Sequence, residues 1–272
     1  TLDLVAAGGD GSRVVWVLSR LSGADSWQLS SALTATQTIL ALALGDYDAD
    51  GYPDLALGAD CASTRSQCRL QVYRNDQGRL AAQPFWQSDD DQNAAGLAWG
   101  DADGDGDLDL AVGAGNAANQ PNRLYLNTIQ PLAAQQALAQ PGDGSAASAA
   151  WADVDGDGDA DLALGLSNQC SQSIGACTPG RAWLYVNQNG SLARQPVGSG
   201  SVGPVRGASK DRPEQVGVPE LGWGDVGALA WGDYDRDGDP DLAVGSSAVC
   251  TIQGGVSECR WVGLGRRGLT RA

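Results

Sequence analysis

Short apolar runs alternate with polar turns along this chain, and no apolar period of 3.6 residues is sustained over ten positions. The runs are four to seven residues long and punctuated by Gly, Asn and Asp, so they predict strands rather than helices. A first run, at 41–45, 96–100, 148–152 and 228–232, precedes an acidic nonapeptide each time. A second follows the nonapeptide directly, at 55–58, 110–113, 162–165 and 242–245. A third comes after a variable loop, at 70–75, 123–127 and 183–187. Residues 75–78 and 187–190 then read as hairpin turns leading to a weaker fourth run near Leu80 and Leu192.

Four short antiparallel strands in units of about 52–55 residues match the blade of a β-propeller. The expected fold is therefore all-β, a single propeller segment in which five blades are represented. Their approximate bounds are 1–36, 37–92, 93–145, 146–197 and 227–272, the first and last incomplete. Residues 2–8 align with 53–58, placing Asp3 at the end of a loop that is otherwise missing. Residues 14–18 and 27–29 would then be third and fourth strands, and 260–264 a third strand of the last blade. The segment reads as part of a larger propeller. Between the third and fourth nonapeptides, 198–226 reads as a Gly-, Ser- and Pro-rich inserted loop. Trp99, Trp151 and Trp231, each two residues before a nonapeptide, are expected to pack between blades.

The nonapeptides carry the chemistry. Residues 46–54, 101–109, 153–161 and 233–241 have Asp at positions 1, 3, 5 and 9 every time, with Gly51, Gly106, Gly158 and Gly238 at position 6. Oxygen donors at alternate positions, with glycine at a sharp turn, suit a hard cation such as calcium. The candidate ligands are Asp46, Asp48, Asp50 and Asp54; Asp101, Asp103, Asp105 and Asp109; Asp153, Asp155, Asp157 and Asp161; and Asp233, Asp235, Asp237 and Asp241. Tyr52, Asp107, Asp159 and Asp239 occupy position 7, where the backbone carbonyl would serve and side-chain variety is expected. Four calcium sites follow. No Glu stands at position 12 and strands flank the loop, so it is not an EF-hand; magnesium's strict octahedron has no use for so many protein oxygens.

Composition narrows the function. The formal charge is −16, and four divalent cations would halve it. Lys210 is the single lysine and no basic patch exists, which argues against nucleic acid as a partner. Histidine is absent, removing the commonest general base and the commonest transition-metal ligand. Methionine is absent too, which suits a processed product or a segment of something longer. No run of 18 apolar residues spans a membrane. The cysteines fall in close pairs, Cys61/Cys68, Cys170/Cys177 and Cys250/Cys259, each shortly after a nonapeptide. That placement reads as three local disulfides across second and third strands, formed in an oxidising compartment.

These units resemble FG-GAP repeats, the integrin-α-type family also called VCBS-like. The family's Phe-Gly is echoed by Trp99-Gly100 and Trp231-Gly232, with Leu44-Gly45 and Trp151-Ala152 as variants. Its Gly-Ala-Pro is echoed by Gly58-Ala59-Asp60 and Gly113-Ala114-Gly115, without the proline. The resemblance covers the chain except about 198–226, and implies calcium loops between the first and second strands of each blade. It implies a secreted or cell-surface structural, adhesion or ligand-binding module. Its partner would be an extracellular protein or glycan, or another copy in a surface assembly. The alternatives are a lectin, with Trp27 or Trp86 stacking on sugar rings, or part of a secreted polysaccharide-degrading enzyme. No nucleophile has an evident base, and the paired carboxylates are already engaged as metal ligands, so catalysis is not expected. Asn189-Gly190-Ser191 is a glycosylation sequon on a predicted turn.

Overall fold

In three of the repeats the second strand is buried from end to end, whereas that of the fourth, at 241–246, is partly exposed. A computed structural model describes residues 3–7, 13–20, 26–60, 68–115, 120–127, 132–138, 145–167, 169–171, 176–178, 181–195, 226–234, 236, 238–246, 249–253 and 256–260. The inserted loop through 225, Cys61, Asp235, Asp237 and the predicted strand beyond residue 260 lie outside the described residues. The chain divides into two compact units, one of residues 1–99 with 106–136, the other of 100–105 with 137–272.

Among the described residues every regular element is a strand. In the first unit, β1 (Asp3–Ala7), β2 (Val14–Arg20) and β3 (Trp27–Thr34) form a three-stranded antiparallel sheet. β4 (Ile39–Gly45), β5 (Asp54–Ala59) and β6 (Gln71–Tyr73) follow, then a small hairpin of β7 (Asn75–Asp76) and β8 (Arg79–Leu80). β9 (Trp86–Gln87) completes a four-stranded sheet in the order β4-β5-β6-β9. Leu80 therefore belongs to the projecting hairpin, and Trp86 holds the fourth-strand place predicted near Leu80. The tight Gln77-Gly78 turn, with φ of 52° and 92°, closes that hairpin before the chain can reach the sheet edge. β10 (Ala94–Gly100), β11 (Asp109–Ala114), β12 (Arg123–Leu126) and β13 (Ala133–Ala137) form the next four-stranded sheet.

The second unit repeats the plan. β14 (Ala146–Ala152) and β15 (Asp161–Leu166) pair, a side hairpin of β16 (Gln169–Ser171) and β17 (Ala176–Thr178) projects, and β18 (Arg181–Gln188) and β19 (Ser191–Gln195) finish the sheet. β20 (Val226–Gly232) pairs with β21 (Asp241–Ser246), and β22 (Val249–Gln253) with β23 (Val256–Arg260). Cys170 stands opposite Cys177 in β16–β17, and Cys250 opposite Cys259 in β22–β23. The sequence expectation placed these cysteines across second and third strands. Instead each of these two pairs lies in a separate two-stranded hairpin, because the chain after Leu166 and Ser246 turns back on itself first.

β5, β11 and β15 are buried along their whole length, which is why they read as near-continuous apolar runs. Tyr73, Tyr125 and Tyr185, on the third strands, are fully buried beside them. The repeated Trp-Gly pair is a packing device. A Cβ on Gly45 would come within 2.5 Å of the Trp99 ring, and one on Gly100 within 2.6 Å of Trp151. The Trp99 indole N–H donates to the Ala43 carbonyl and that of Trp231 to the Ala150 carbonyl, both at 3.3 Å. Gly100→Val is expected to cost about 2–3 kcal/mol by overpacking against Trp151. Urea unfolding checks this, and a midpoint equal to wild type would contradict the packing role.

Candidate metal centre

Each aspartate loop closes an antiparallel pair. Gly45 stands opposite Asp54, Ala152 opposite Asp161 and Gly232 opposite Asp241, so the loop joins first and second strands as expected. Its tight course needs two left-handed residues, at positions 4 and 6. Gly51, Gly106, Gly158 and Gly238 have φ between 90° and 99°. Position 4 is left-handed as well, in Ala49 (57°), Gly104 (77°), Gly156 (72°) and Arg236 (64°). The second of these turns was invisible in sequence because glycine fills it only twice.

The position-1 aspartate folds the loop around itself. Asp46 accepts the Asp50 N–H at 3.0 Å and the Gly51 N–H at 2.9 Å. Asp153 accepts from Gly156 at 2.8 Å, Asp157 at 3.2 Å and Gly158 at 3.0 Å. Asp233 accepts from Gly238 at 3.3 Å. Between these turns, carboxylates converge. Oxygens of Asp46, Asp48 and Asp50 lie within 4.8 Å of one another, as do oxygens of Asp153, Asp155 and Asp161. Of the loop at 101–109, Asp101, Asp103 and Asp105 belong to the second unit and Asp107 and Asp109 to the first. The turn of its first half is alike: Asp101 accepts the Gly104 N–H at 2.8 Å and Asp103 the Asp105 N–H at 3.3 Å. Asp159, at position 7, turns its carboxylate to the Asn189 N–H at 2.8 Å.

Position 9 has a second role beyond possible ligation. Asp54, Asp109 and Asp161 are at most 1 % exposed. Asp54 accepts the Tyr47 N–H (3.3 Å) on one oxygen and the Asn75 N–H (2.7 Å) on the other. Asp161 does the same with Val154 (2.8 Å) and Asn187 (2.7 Å). Asp109 accepts the Asn127 N–H at 2.8 Å, and Asp241 the Tyr234 N–H at 2.8 Å. In Asp54 and Asp161 this aspartate ties the loop and the second strand to the segment at the end of the third strand.

The asparagines on the third strands are the residues that sequence reasoning left without a role. The Asn127 amide donates to the Tyr47 carbonyl at 3.1 Å, and that of Asn187 to the Ala102 carbonyl at 2.8 Å. Tyr47 and Ala102 both occupy position 2 of the preceding loop. The recurrent Tyr-x-Asn of Tyr73–Asn75, Tyr125–Asn127 and Tyr185–Asn187 was the available signal.

Electrostatics favour a cation here. Burial pushes the Asp161 carboxyl up to about 6, against two stabilising backbone N–H groups. Burial also raises Asp54, with Asp48 adding to it. Asp155 and Asp103 are raised by burial first, then by Asp157 and Asp105 respectively. A metal ion would reverse each of these costs. Oδ1 of Asp48 is buried with no hydrogen-bond partner, an oxygen that a cation would satisfy. Donors that are all carboxylate or carbonyl oxygen fit a hard divalent ion, so these loops could hold a metal.

Residues 59–112 match the family model of the FG-GAP-like repeat. This chain carries an FG-GAP-like repeat. The matched stretch runs from the end of β5 into β11 and includes the aspartate loop at 101–109. No curated protein matches the chain. The FG-GAP-like repeat thus begins in one four-stranded sheet and ends in the next, a phase that takes in a complete aspartate loop with its Trp99-Gly100 lead-in. No helix among the described residues is long and apolar enough to cross a membrane.

Proposed function

We propose that this chain is a calcium-binding β-propeller segment that serves as a secreted or cell-surface structural, adhesion or ligand-binding module. The observation that carries the reading is the convergence of carboxylates in loops with one backbone plan, joining first and second strands. Four calcium ions would sit at 46–54, 101–109, 153–161 and 233–241 and tie metal binding to folding. The all-oxygen donors, the FG-GAP-like match and four-stranded sheets in series support calcium and the propeller. Disulfides at Cys61–Cys68, Cys170–Cys177 and Cys250–Cys259 would suit an oxidising exterior. Supporting them, Cys68 is disulfide-bonded, and the other two pairs stand in register across hairpins.

The module is proposed to be non-catalytic, its partner an extracellular protein or glycan, or another copy of itself. A lectin reading keeps Trp27, which is 49 % exposed. Trp86 is less suited, since it is half-buried and packs edge-on against Tyr125 at 5.6 Å, against the apolar core.

Equilibrium dialysis of the full chain against calcium and against magnesium tests the proposal. Expected are about four calcium ions per chain, with magnesium far weaker. No calcium bound at millimolar concentration would overturn it.

A further inference from the structure

A cation is held against the loop at 46–54. The Arg74 Nε lies 3.1 Å from Oδ2 of Asp48, the position-3 candidate ligand of 46–54. Its guanidinium stacks 3.8 Å from the centroid of the Phe85 ring. Phe85 is itself anchored, by its N–H to the Val72 carbonyl at 2.8 Å and by its ring against Tyr47 at 6.2 Å. Arg74 is therefore held over the loop from both sides.

The counterpart positions beside the loops at 101–109 and 153–161 carry no charge. Tyr73, Tyr125 and Tyr185 stand opposite Leu55, Leu110 and Leu162 in the same register, so Arg74 corresponds to Leu126 and Val186. The loop at 46–54 also differs in its convergent group, Asp46, Asp48 and Asp50, whereas 153–161 brings in its position-9 aspartate. Only one oxygen of Asp48 faces Arg74, and the other is left for a metal. The site is thus damped rather than blocked. Calcium affinity in such loops follows the ligand charge count, and a fixed cation subtracts from it.

We propose that Arg74 acts as a built-in competitor that makes 46–54 a weaker calcium site than 101–109 and 153–161. The same cation takes over part of the metal's role, keeping this loop ordered at low calcium. Arg74 is a tuning residue acting through Asp48, and the inference rests on the calcium reading above.

Calcium titration calorimetry on the full chain, wild type against Arg74→Leu, tests it. Wild type is expected to show one weak class beside tighter sites. Arg74→Leu should tighten that class by roughly five- to tenfold, the effect of removing a neighbouring charge, and leave the others unmoved. In an Asp46→Ala background the gain should vanish. Merely structural damage would weaken binding, so tightening separates the two roles. Arg74→Gln gives the same comparison if the leucine variant folds poorly. Four equal sites in wild type, or no tightening in either variant, would overturn the role of Arg74 while leaving calcium binding intact. Absence of all calcium binding would overturn the functional reading instead.

Discussion

Stripping calcium from this chain is expected to lower its melting temperature by roughly 10–20 °C. A site held at a hundred times its Kd adds about 2.7 kcal/mol to stability. About 1 kcal/mol moves the midpoint by roughly 2–4 °C for a domain of this size. Two or more emptied loops reach the stated range. The pH dependence carries a sign that separates this from a general loss of packing. In the metal-free chain Asp161 titrates near 6, above its ordinary value of 3.8. A raised carboxyl contributes stability that is present below about 4 and lost as pH climbs through 6. Metal-free protein should therefore melt lower at pH 7 than at pH 4.5. With calcium the order reverses, because the ion needs the ionised carboxylate. Scanning calorimetry in EGTA and in calcium at both pH values checks this, and identical curves with and without the ion would refute it.

Asn187→Ala is expected to cost about 3 kcal/mol even with calcium bound. Asn187 is 1 % exposed. Its amide donates to the carbonyls of Ala102 (2.8 Å) and Ala160 (3.0 Å), and its carbonyl accepts the Gly190 N–H at 3.1 Å. Alanine deletes all three bonds at about 1 kcal/mol each and strands buried carbonyls besides. Asn187→Asp should be at least as harmful, since it turns an acceptor toward those carbonyls. Urea denaturation measures both, and a loss under about 1 kcal/mol would show the asparagine to be dispensable.

Most of the local architecture was legible in the sequence, for physical reasons. β5, β11 and β15 are buried along their length and so read as apolar runs, and aspartates recur at alternate places in the loops that precede them. The turns at Gln77-Gly78 and Asn189-Gly190 were legible because left-handed pairs select such residues. What escaped were features that composition does not constrain. Ala49 and Arg236 adopt left-handed backbone without being glycine. Asn127 and Asn187 act across 80 and 85 residues of chain, which no local window reveals. The side hairpin at Gln169–Thr178 misled because its cysteines sit where a direct strand connection was equally consistent with spacing.

The reach of those asparagines gives the chain a direction in time. Ala102 meets its clamp only after Asn187 exists, and Tyr47 only after Asn127. During synthesis the loops at 46–54 and 101–109 thus lack these clamps until the following repeat has emerged. For those two loops, completion lags translation by one repeat.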